Sequence, residues 1–457
     1  MSESIETRNP STGEALPEIA ATSLEQLQAT VAAAREAQAQ WWASGFEARA
    51  ERARSFAARV REETELADEL ARSISTEMGK PYKHAKAEVT NVYKRTEAFI
   101  ERARAACAET RASEGSIEVT TQWRPLGVAA VIAPWNYPVS TPNNLVMSAL
   151  LTGNAVVLKP SEFTPRTGDL YHQLIASCLP EGVFGIVQGG GQVGRALVEA
   201  EVDIVAFTGS IATGQAIMRG AAGGMKRLVL ELGGKDPMIV LPGADLAAAA
   251  AYAVRTSVNN SGQVCVATER IFVHREVEQE FVAHAQRELE GYRVGDPFDP
   301  QTDIGPMANE AQRELVLGQI AAARSDGAEL VVEGAARGPG FWLEPSLLRG
   351  VRDDMQIARK ETFGPVVAVS SYDEIDEVVR RANDSIYGLG ASVWGPPGAQ
   401  TDAVAERIEA GMIGINRGLS AAAGAPWVGW KMSGFGYTRS TEGMRNFMQP
   451  RTHARNL

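Results

Sequence analysis

The amino-acid sequence predicts an α/β fold of two lobes, each a mainly parallel sheet wound with helices, behind a helical entry. Short apolar runs at residues 128–133, 155–158, 185–187, 204–207 and 228–230 recur at helix-length intervals, the pattern of a doubly wound sheet buried on both faces. A second alternation of strands and helices starts at residues 238–241 and continues through 270–274, 329–332 and 366–369. The first hundred residues carry a helical period instead.

In chain order, Ser23-Leu-Glu-Gln26 reads as a capping box that opens a helix with Leu24, Leu27 and Val31 on one stripe. Residues 48–77 alternate Arg and Glu around Phe56, Val60, Leu66, Leu70 and Ile74, as in helices with a solvated, ion-paired face, and Gly79 and Pro81 stop the run. Alternation and β-branched residues at 115–123 indicate a strand or hairpin. In open α/β sheets ligands sit beyond the carboxyl ends of the strands. Function is therefore sought in Pro134-Trp-Asn-Tyr-Pro138, Lys159-Pro-Ser-Glu162, Thr208-Gly-Ser210 and Glu231-Leu-Gly-Gly-Lys235, each of which follows an apolar run.

The 457 residues suffice for two or three domains, and a net charge of −11 disfavours nucleic acid or an anionic membrane surface as main partner. Three widely spaced cysteines (Cys107, Cys178, Cys265) make no disulfide framework, and five scattered histidines show no metal-ligand spacing, so no metal is expected. The N-terminal segment lacks a basic n-region and an apolar h-region, and the Ala-rich stretch at 247–253 is too short to span a bilayer. A cytoplasmic location is expected.

Two glycine turns suit phosphate. Gly189-Gly-Gly-Gln-Val-Gly194 satisfies GxGxxG but follows the third run rather than the first, so a plain strand-to-helix turn is an equal reading. Thr208-Gly-Ser-Ile-Ala-Thr-Gly214 enters a helix whose free N–H groups would face an anion. Cys107 and Cys178 read as small buried hydrophobes. Cys265, flanked by Gly, Ser, Gln and Asn, reads as a loop thiol able to act as a nucleophile once ionised. Glu231, at a strand end, is either ion-paired or a base that serves such a thiol. Asn136 is either a turn residue or an amide that donates to an oxyanion.

Together these motifs resemble the NAD(P)-dependent aldehyde dehydrogenase superfamily, from Asn9-Pro-Ser-Thr-Gly13 to Ser433-Gly-Phe-Gly436. Six motifs stand in the family's order: Pro134-Trp-Asn136, Lys159-Pro-Ser-Glu162, Phe207-Thr-Gly-Ser210, Glu231-Leu-Gly-Gly234, Gly262-Gln-Val-Cys265 and Glu361-Thr-Phe-Gly-Pro365. The interval of 34 residues from Glu231 to Cys265 also agrees.

The resemblance implies a Rossmann-like cofactor domain (1–106 and 126–233), an α/β catalytic domain (234–435), and a small β oligomerisation segment (107–125 and 436–457). In the last, the strand region joins residues 452–457 to complete a sheet in a neighbouring subunit of a homodimer or homotetramer. It implies Cys265 as nucleophile, Glu231 as hydrolytic base, and the Asn136 amide with the Cys265 N–H as oxyanion donors. For the cofactor it places Lys159 and Glu162 on the adenosine ribose, Gly194 near the adenine and Gly209 and Ser210 at the pyrophosphate. Glu361 falls on the nicotinamide ribose and Phe363 on the nicotinamide side, with Pro134, Trp135 and Leu232 as further contacts. A carboxylate at Glu162 accepts from ribose hydroxyls and repels a 2′-phosphate, so NAD is expected over NADP, with NADP tolerated if that exposed glutamate swings away.

Departures from the family pattern matter too. Near the C terminus the usual Pro-Phe-Gly-Gly is here Pro426-Trp-Val-Gly429, and the usual Arg-Glu pair is Tyr437-Thr438, so a proton relay through that second glutamate is absent. Asn144 and Asn259 stand where succinic semialdehyde enzymes carry carboxylate-gripping arginines, which argues against a short anionic semialdehyde. Val264 and Val266, with Tyr137, Trp427 and Trp430, predict an apolar entrance for a hydrophobic or aromatic aldehyde; packing of both tryptophans at a subunit boundary is the other reading. Residues 415–424 resemble the branch with diapolycopene-type dialdehyde dehydrogenases. A succinate-semialdehyde-type enzyme and a CoA-acylating one are the enzymatic rivals, and a non-enzymatic binding role is the third; Glu231 argues against the CoA route.

Overall fold

The computed structural model describes residues 4–419 and 424–457. Five helices, Leu24–Ala43, Phe46–Glu62, Thr64–Met78, Tyr82–Lys94 and Thr96–Cys107, form the entry. The capping box is present: Gln26 N–H donates to Ser23 Oγ at 3.1 Å and Ser23 N–H to Gln26 Oε1 at 2.8 Å. Leu27 and Val31 are buried, whereas Leu24, in the first turn, points outward. Gly79 ends the third helix in the left-handed region (φ 78°), where a Cβ would meet the Pro306 ring at 2.7 Å.

The five apolar runs are parallel strands of one sheet, in the order Arg227–Glu231, Ile204–Thr208, Val128–Ile132, Ala155–Lys159, Phe184–Ile186. Successive side chains point to opposite faces. Ala129 and Val131 enter a core shared with the entry helices and Ser140–Leu151, while Val128, Ala130 and Ile132 enter a second core with Leu27, Val31 and Val193. Strand order reverses at Val128–Ile132, since the next two strands lie on one side of it and the following two on the other. The loops after Ile132 and Thr208 therefore leave the sheet side by side, at the switch point where such sheets bind ligands.

The second lobe is a seven-stranded sheet in the order Glu329–Val332, Ser346–Arg349, Val366–Tyr372, Thr268–His274, Asp236–Val240, Gly390–Trp394, Met412–Ile415, parallel except at its Glu329–Val332 edge. The chain then returns to the first lobe. Gly434–Phe435 pairs antiparallel with the end of the Glu231 strand, and Met444 and Phe447 enter the first lobe's core.

A three-stranded antiparallel sheet, Thr110–Glu114, Ile117–Pro125 and Met448–Asn456, projects from the lobes. Its C-terminal strand starts at Met448, ahead of residue 452, and pairs within the chain along the whole of Ile117–Pro125. The two-lobed α/β architecture with a small β region, implied by the resemblance, is the fold observed. Among the described residues, no helix is long and apolar enough to cross a membrane, and no three His, Cys, Asp or Glu side chains are grouped to hold a metal ion.

Candidate active site

Cys265 sits in a loop whose path only small residues permit. The helix Leu246–Val258, capped by Asp245, ends in a short turn in which Asn260, Ser261 and Gly262 all take positive φ. A Cβ at Gly262 would lie 2.0 Å from the Gly364 carbonyl oxygen, and one at Gly234 would lie 2.2 Å from that of Cys265. The loop is thus clamped between the start of the second lobe and the segment after Glu361. The expectation of a loop thiol between lobes holds, with Cys265 half-buried. Cys107 and Cys178 are also half-buried, not fully interior, and pack against the first lobe's core.

Glu231 ends its strand facing this loop. The Cys265 thiol donates to Glu231 Oε1 at 3.3 Å, and Thr208 Oγ to Oε2 at 3.1 Å. The indole N–H of Trp427 donates to the same Oε1 at 2.8 Å. No basic side chain pairs with Glu231 among the described residues, so the ion-pair reading of this carboxylate is not the one observed. Burial, and next the Glu231 carboxylate, push the Cys265 thiol well above its ordinary pKa, so the resting side chain is a thiol.

Asn136 is buried and donates through Nδ2 to the Gln263 carbonyl at 2.9 Å, two residues before Cys265. Its own carbonyl accepts from Lys80 Nζ at 2.9 Å and from Asn260 Nδ2 at 3.1 Å. Lys80 is ion-paired with Glu88, which accepts from the Val139 and Ser140 N–H groups. Asn136 is therefore held from both sides, and the Cys265 N–H has no acceptor among the described residues.

The predicted cofactor residues lie along the same carboxyl ends. Lys159 is buried, its amine 3.5 Å from the half-buried Glu162 carboxylate and 3.0 Å from the Pro160 carbonyl. Gly194 falls in the helix Gly191–Glu199, where a Cβ would sit 3.6 Å from the Lys159 stem. Ser210 caps the helix Ile211–Ala222 by accepting from Thr213 N–H, and Gly209 N–H donates to the Glu231 carbonyl at 3.1 Å. Leu232 packs against Gly214 of that helix. Pro134 is buried at its strand end, and Trp135 meets Phe363 edge-on at 5.4 Å. Glu361 accepts from Gly234 N–H at 3.0 Å, and burial, then the Glu269 charge, push its pKa up to about 8.

A buried pair that the sequence did not announce holds this last segment. Lys235 and Glu269 lie 2.6 Å apart, and Glu269 accepts from the N–H groups of Thr362 and Phe363 at 2.7 and 2.9 Å. Phe363 is thereby fixed at φ 50°.

A pocket of about 490 Å³ is bordered by Val264 and Val266, the chain neighbours of Cys265, and by Trp427, Leu419, Tyr252 and Tyr292. Of the predicted entrance aromatics, Trp427 lines it. Tyr137 stands behind it, bonded to Asn259. Trp430 is a correction: it is exposed, its strand pairs with Tyr387–Gly388, and it does not border the pocket. Tyr437–Thr438, which replaces the family Arg-Glu, forms a short ladder with Trp427–Val428, and the next residue, Arg439, stacks on the Trp427 ring at 4.3 Å. Residues 420–423 of the 415–424 segment lie outside the described residues.

A sequence model of the aldehyde dehydrogenase family matches residues 1–453. The chain belongs to the aldehyde dehydrogenase family. It is 35% identical over 458 residues to a betaine aldehyde dehydrogenase of Rhizobium leguminosarum bv. trifolii (strain WSM2304), covering 98% of this chain and 93% of the relative. Among solved structures it is similar to an indole-3-acetaldehyde dehydrogenase complexed with NAD+ (TM-score 0.95, 32% identity, 100% and 94% of the two chains). It is also similar to a mutant of aldehyde dehydrogenase C from Pseudomonas syringae with NAD+ and octanal (TM-score 0.91, 36% identity, 98% and 93%). The protein is an NAD(P)-dependent aldehyde dehydrogenase, an oxidoreductase that converts an aldehyde to the acid through a catalytic cysteine.

Proposed function

We propose that the protein oxidises an apolar or aromatic aldehyde with NAD, using Cys265 as nucleophile, Glu231 as base, and the Asn136 amide with the Cys265 N–H as oxyanion donors. The observation that carries this reading is the 3.3 Å contact between the Cys265 thiol and Glu231 Oε1. Because burial keeps the thiol protonated at rest, Glu231 must take its proton as the sulfur attacks the carbonyl carbon. The oxyanion that forms faces the second Asn136 N–H and the free Cys265 N–H, donors whose individual loss costs about 10²- to 10³-fold in rate. The nicotinamide of NAD, which Glu361 and Phe363 would hold, would supply the hydride acceptor for this carbon. Glu231, after shedding the proton, deprotonates a water that attacks the thioester, and Cys265 leaves as the thiol.

The dinucleotide fits the residues present: a capped helix N-terminus follows Gly209, the Lys159 stem lies against the bare Gly194, and the Glu162 carboxylate, 3.5 Å from the Lys159 amine, would accept from a ribose. Glu162 supports NAD over NADP. Apolar side chains around the thiol support the substrate class, as does octanal on the relative from Pseudomonas syringae. Residues 1–106 and 126–233 would form the cofactor domain and 234–435 the catalytic one, with the three-stranded sheet joining subunits in a homodimer or homotetramer. A reducing, cytoplasmic setting agrees with the reactive thiol.

The test is NADH formation by wild type and Cys265→Ala over aliphatic, aromatic and anionic aldehydes, with NADP in parallel and Glu162→Ala as a second variant. Loss of turnover in Cys265→Ala, and a gain in NADP use in Glu162→Ala, are expected. Turnover that survives in Cys265→Ala would remove the nucleophile assignment.

A further inference from the structure

We propose that the mouth of the pocket beside Cys265 is an anion subsite, in which Arg255 grips a carboxylate or similar anionic group at the far end of the aldehyde. This rests on the reading above, that the pocket leads to the thiol, and deepens it by naming a charged end on an otherwise apolar substrate.

The pocket's inner wall is Val264, Val266 and Trp427, next to Cys265 and Glu231. Its charged rim is uneven. Asp303 is already neutralised, with Lys83 Nζ at 2.8 Å and the Arg293 N–H donating to it at 3.2 Å. Arg255, in the last turn of the helix Leu246–Val258, borders the same space and has no carboxylate within ion-pair distance among the described residues. Its guanidinium touches the Tyr252 ring face instead, 5.8 Å from the centroid.

The half-buried His84 supplies a second polar group to the pocket. It lines the pocket, and its Nδ1 is buried with no hydrogen-bond partner among the described residues. Burial, and next the Lys83 charge, hold its pKa below the ordinary histidine value, so it adds a neutral polar group rather than a second charge. A buried nitrogen without a partner costs stability unless a ligand or water satisfies it. Among the described residues the rim therefore presents one positive charge without a carboxylate partner and one polar atom without a hydrogen bond, beside apolar walls that focus the field. A guanidinium takes a carboxylate in bidentate fashion and repels a cationic head group.

The experiment compares kcat/KM for 4-carboxybenzaldehyde, benzaldehyde and 4-(trimethylammonio)benzaldehyde, with 6-oxohexanoate and hexanal as a flexible pair, in wild type, Arg255→Gln and Arg255→Lys. Wild type should favour each anionic aldehyde over its neutral partner and disfavour the cationic one. Arg255→Gln should lower kcat/KM for the anionic substrates about 10- to 100-fold while leaving the neutral ones within about 3-fold, as expected for loss of one charge-assisted contact. Arg255→Lys should recover part of the loss. Oxidation of benzaldehyde and hexanal without any charge preference would overturn the anion subsite and leave the apolar-pocket reading standing. Failure to oxidise the neutral pair would overturn that reading, and a parallel fall for all substrates in Arg255→Gln would reduce Arg255 to a structural role.

Discussion

Trp427 and Glu231 are joined by a 2.8 Å hydrogen bond from the indole N–H to the carboxylate oxygen that also faces the Cys265 thiol. A phenylalanine, usual at this place in the family pattern, has no such donor. With Thr208 on the other oxygen, Glu231 is held by three donors and aimed at sulfur before substrate arrives. Arg439, stacked on the indole, fixes the ring in turn.

Trp427→Phe keeps the ring face for Arg439 and removes only the N–H. The expected result is a fall in kcat of about 10-fold with little change in KM, since one neutral-to-charged hydrogen bond is worth about 1.5–3 kcal/mol and Thr208 remains. Stopped-flow NADH traces should show the loss in the hydrolytic phase, as a larger burst relative to steady state. An unaltered rate would show that Glu231 needs no such positioning.

Thiol reactivity should follow the charge beside it. Burial and Glu231 both raise the Cys265 pKa, so Glu231→Gln removes the second cause, and the thiol should ionise at a lower pH than in wild type. The pH profile of iodoacetamide alkylation, with Cys107 and Cys178 replaced by Ala, reads this directly. Turnover should move the other way, falling about 10²-fold or more through loss of the base.

Asp236 gives a pH signature in stability. It is fully buried, one carboxylate oxygen accepts from Gly390 N–H at 3.0 Å, and the other has no partner among the described residues. Burial pushes its pKa up to about 8 from the ordinary 3.8. The folded state thus prefers the protonated form, so the contribution is fully present below pH 3.8 and is lost as pH rises through about 8. Asp236→Asn should be increasingly more stable than wild type as pH rises across this window, levelling off above pH 8. Thermal unfolding at pH 6, 7.5 and 9 checks it, and an equal difference at all three would contradict it.

The projecting sheet predicts the subunit assembly. Both outer strands, Thr110–Glu114 and Met448–Asn456, are exposed nearly throughout and offer unpaired edges. Deleting the last dozen residues removes the whole of Met448–Asn456 and should yield monomer in light scattering. An unchanged oligomer would refute this sheet as the subunit contact.

Much of the fold was legible because its signals are local. The five apolar runs of the first lobe became five parallel strands, since a strand buried on both faces must be apolar throughout. Ser23 and Gln26 formed their box because cap geometry needs only four residues. The pairing of the C-terminal strand with Ile117–Pro125 was less exact, because polar, exposed strands carry no burial pattern to set register. Of the two readings open to Trp430, pocket entrance or subunit boundary, the structure removes the first, because an aromatic residue reads alike as pocket wall and exposed strand.

By itself the sequence determined the α/β class, the order of the strands along the chain and, through the resemblance of six motifs, the residues to watch. Only the tertiary structure decided which groups meet. Glu231 and Cys265 are 34 residues apart in the chain, and Trp427 lies 196 residues beyond Glu231, yet one carboxylate oxygen serves both. Lys80, in the turn between two entry helices, supports Asn136 and is itself paired with Glu88, and Arg255 reaches the pocket rim with no carboxylate beside it among the described residues. Periodicity and capping are encoded within a few residues, whereas partners in hydrogen bonds and charge pairs are chosen by packing between distant segments.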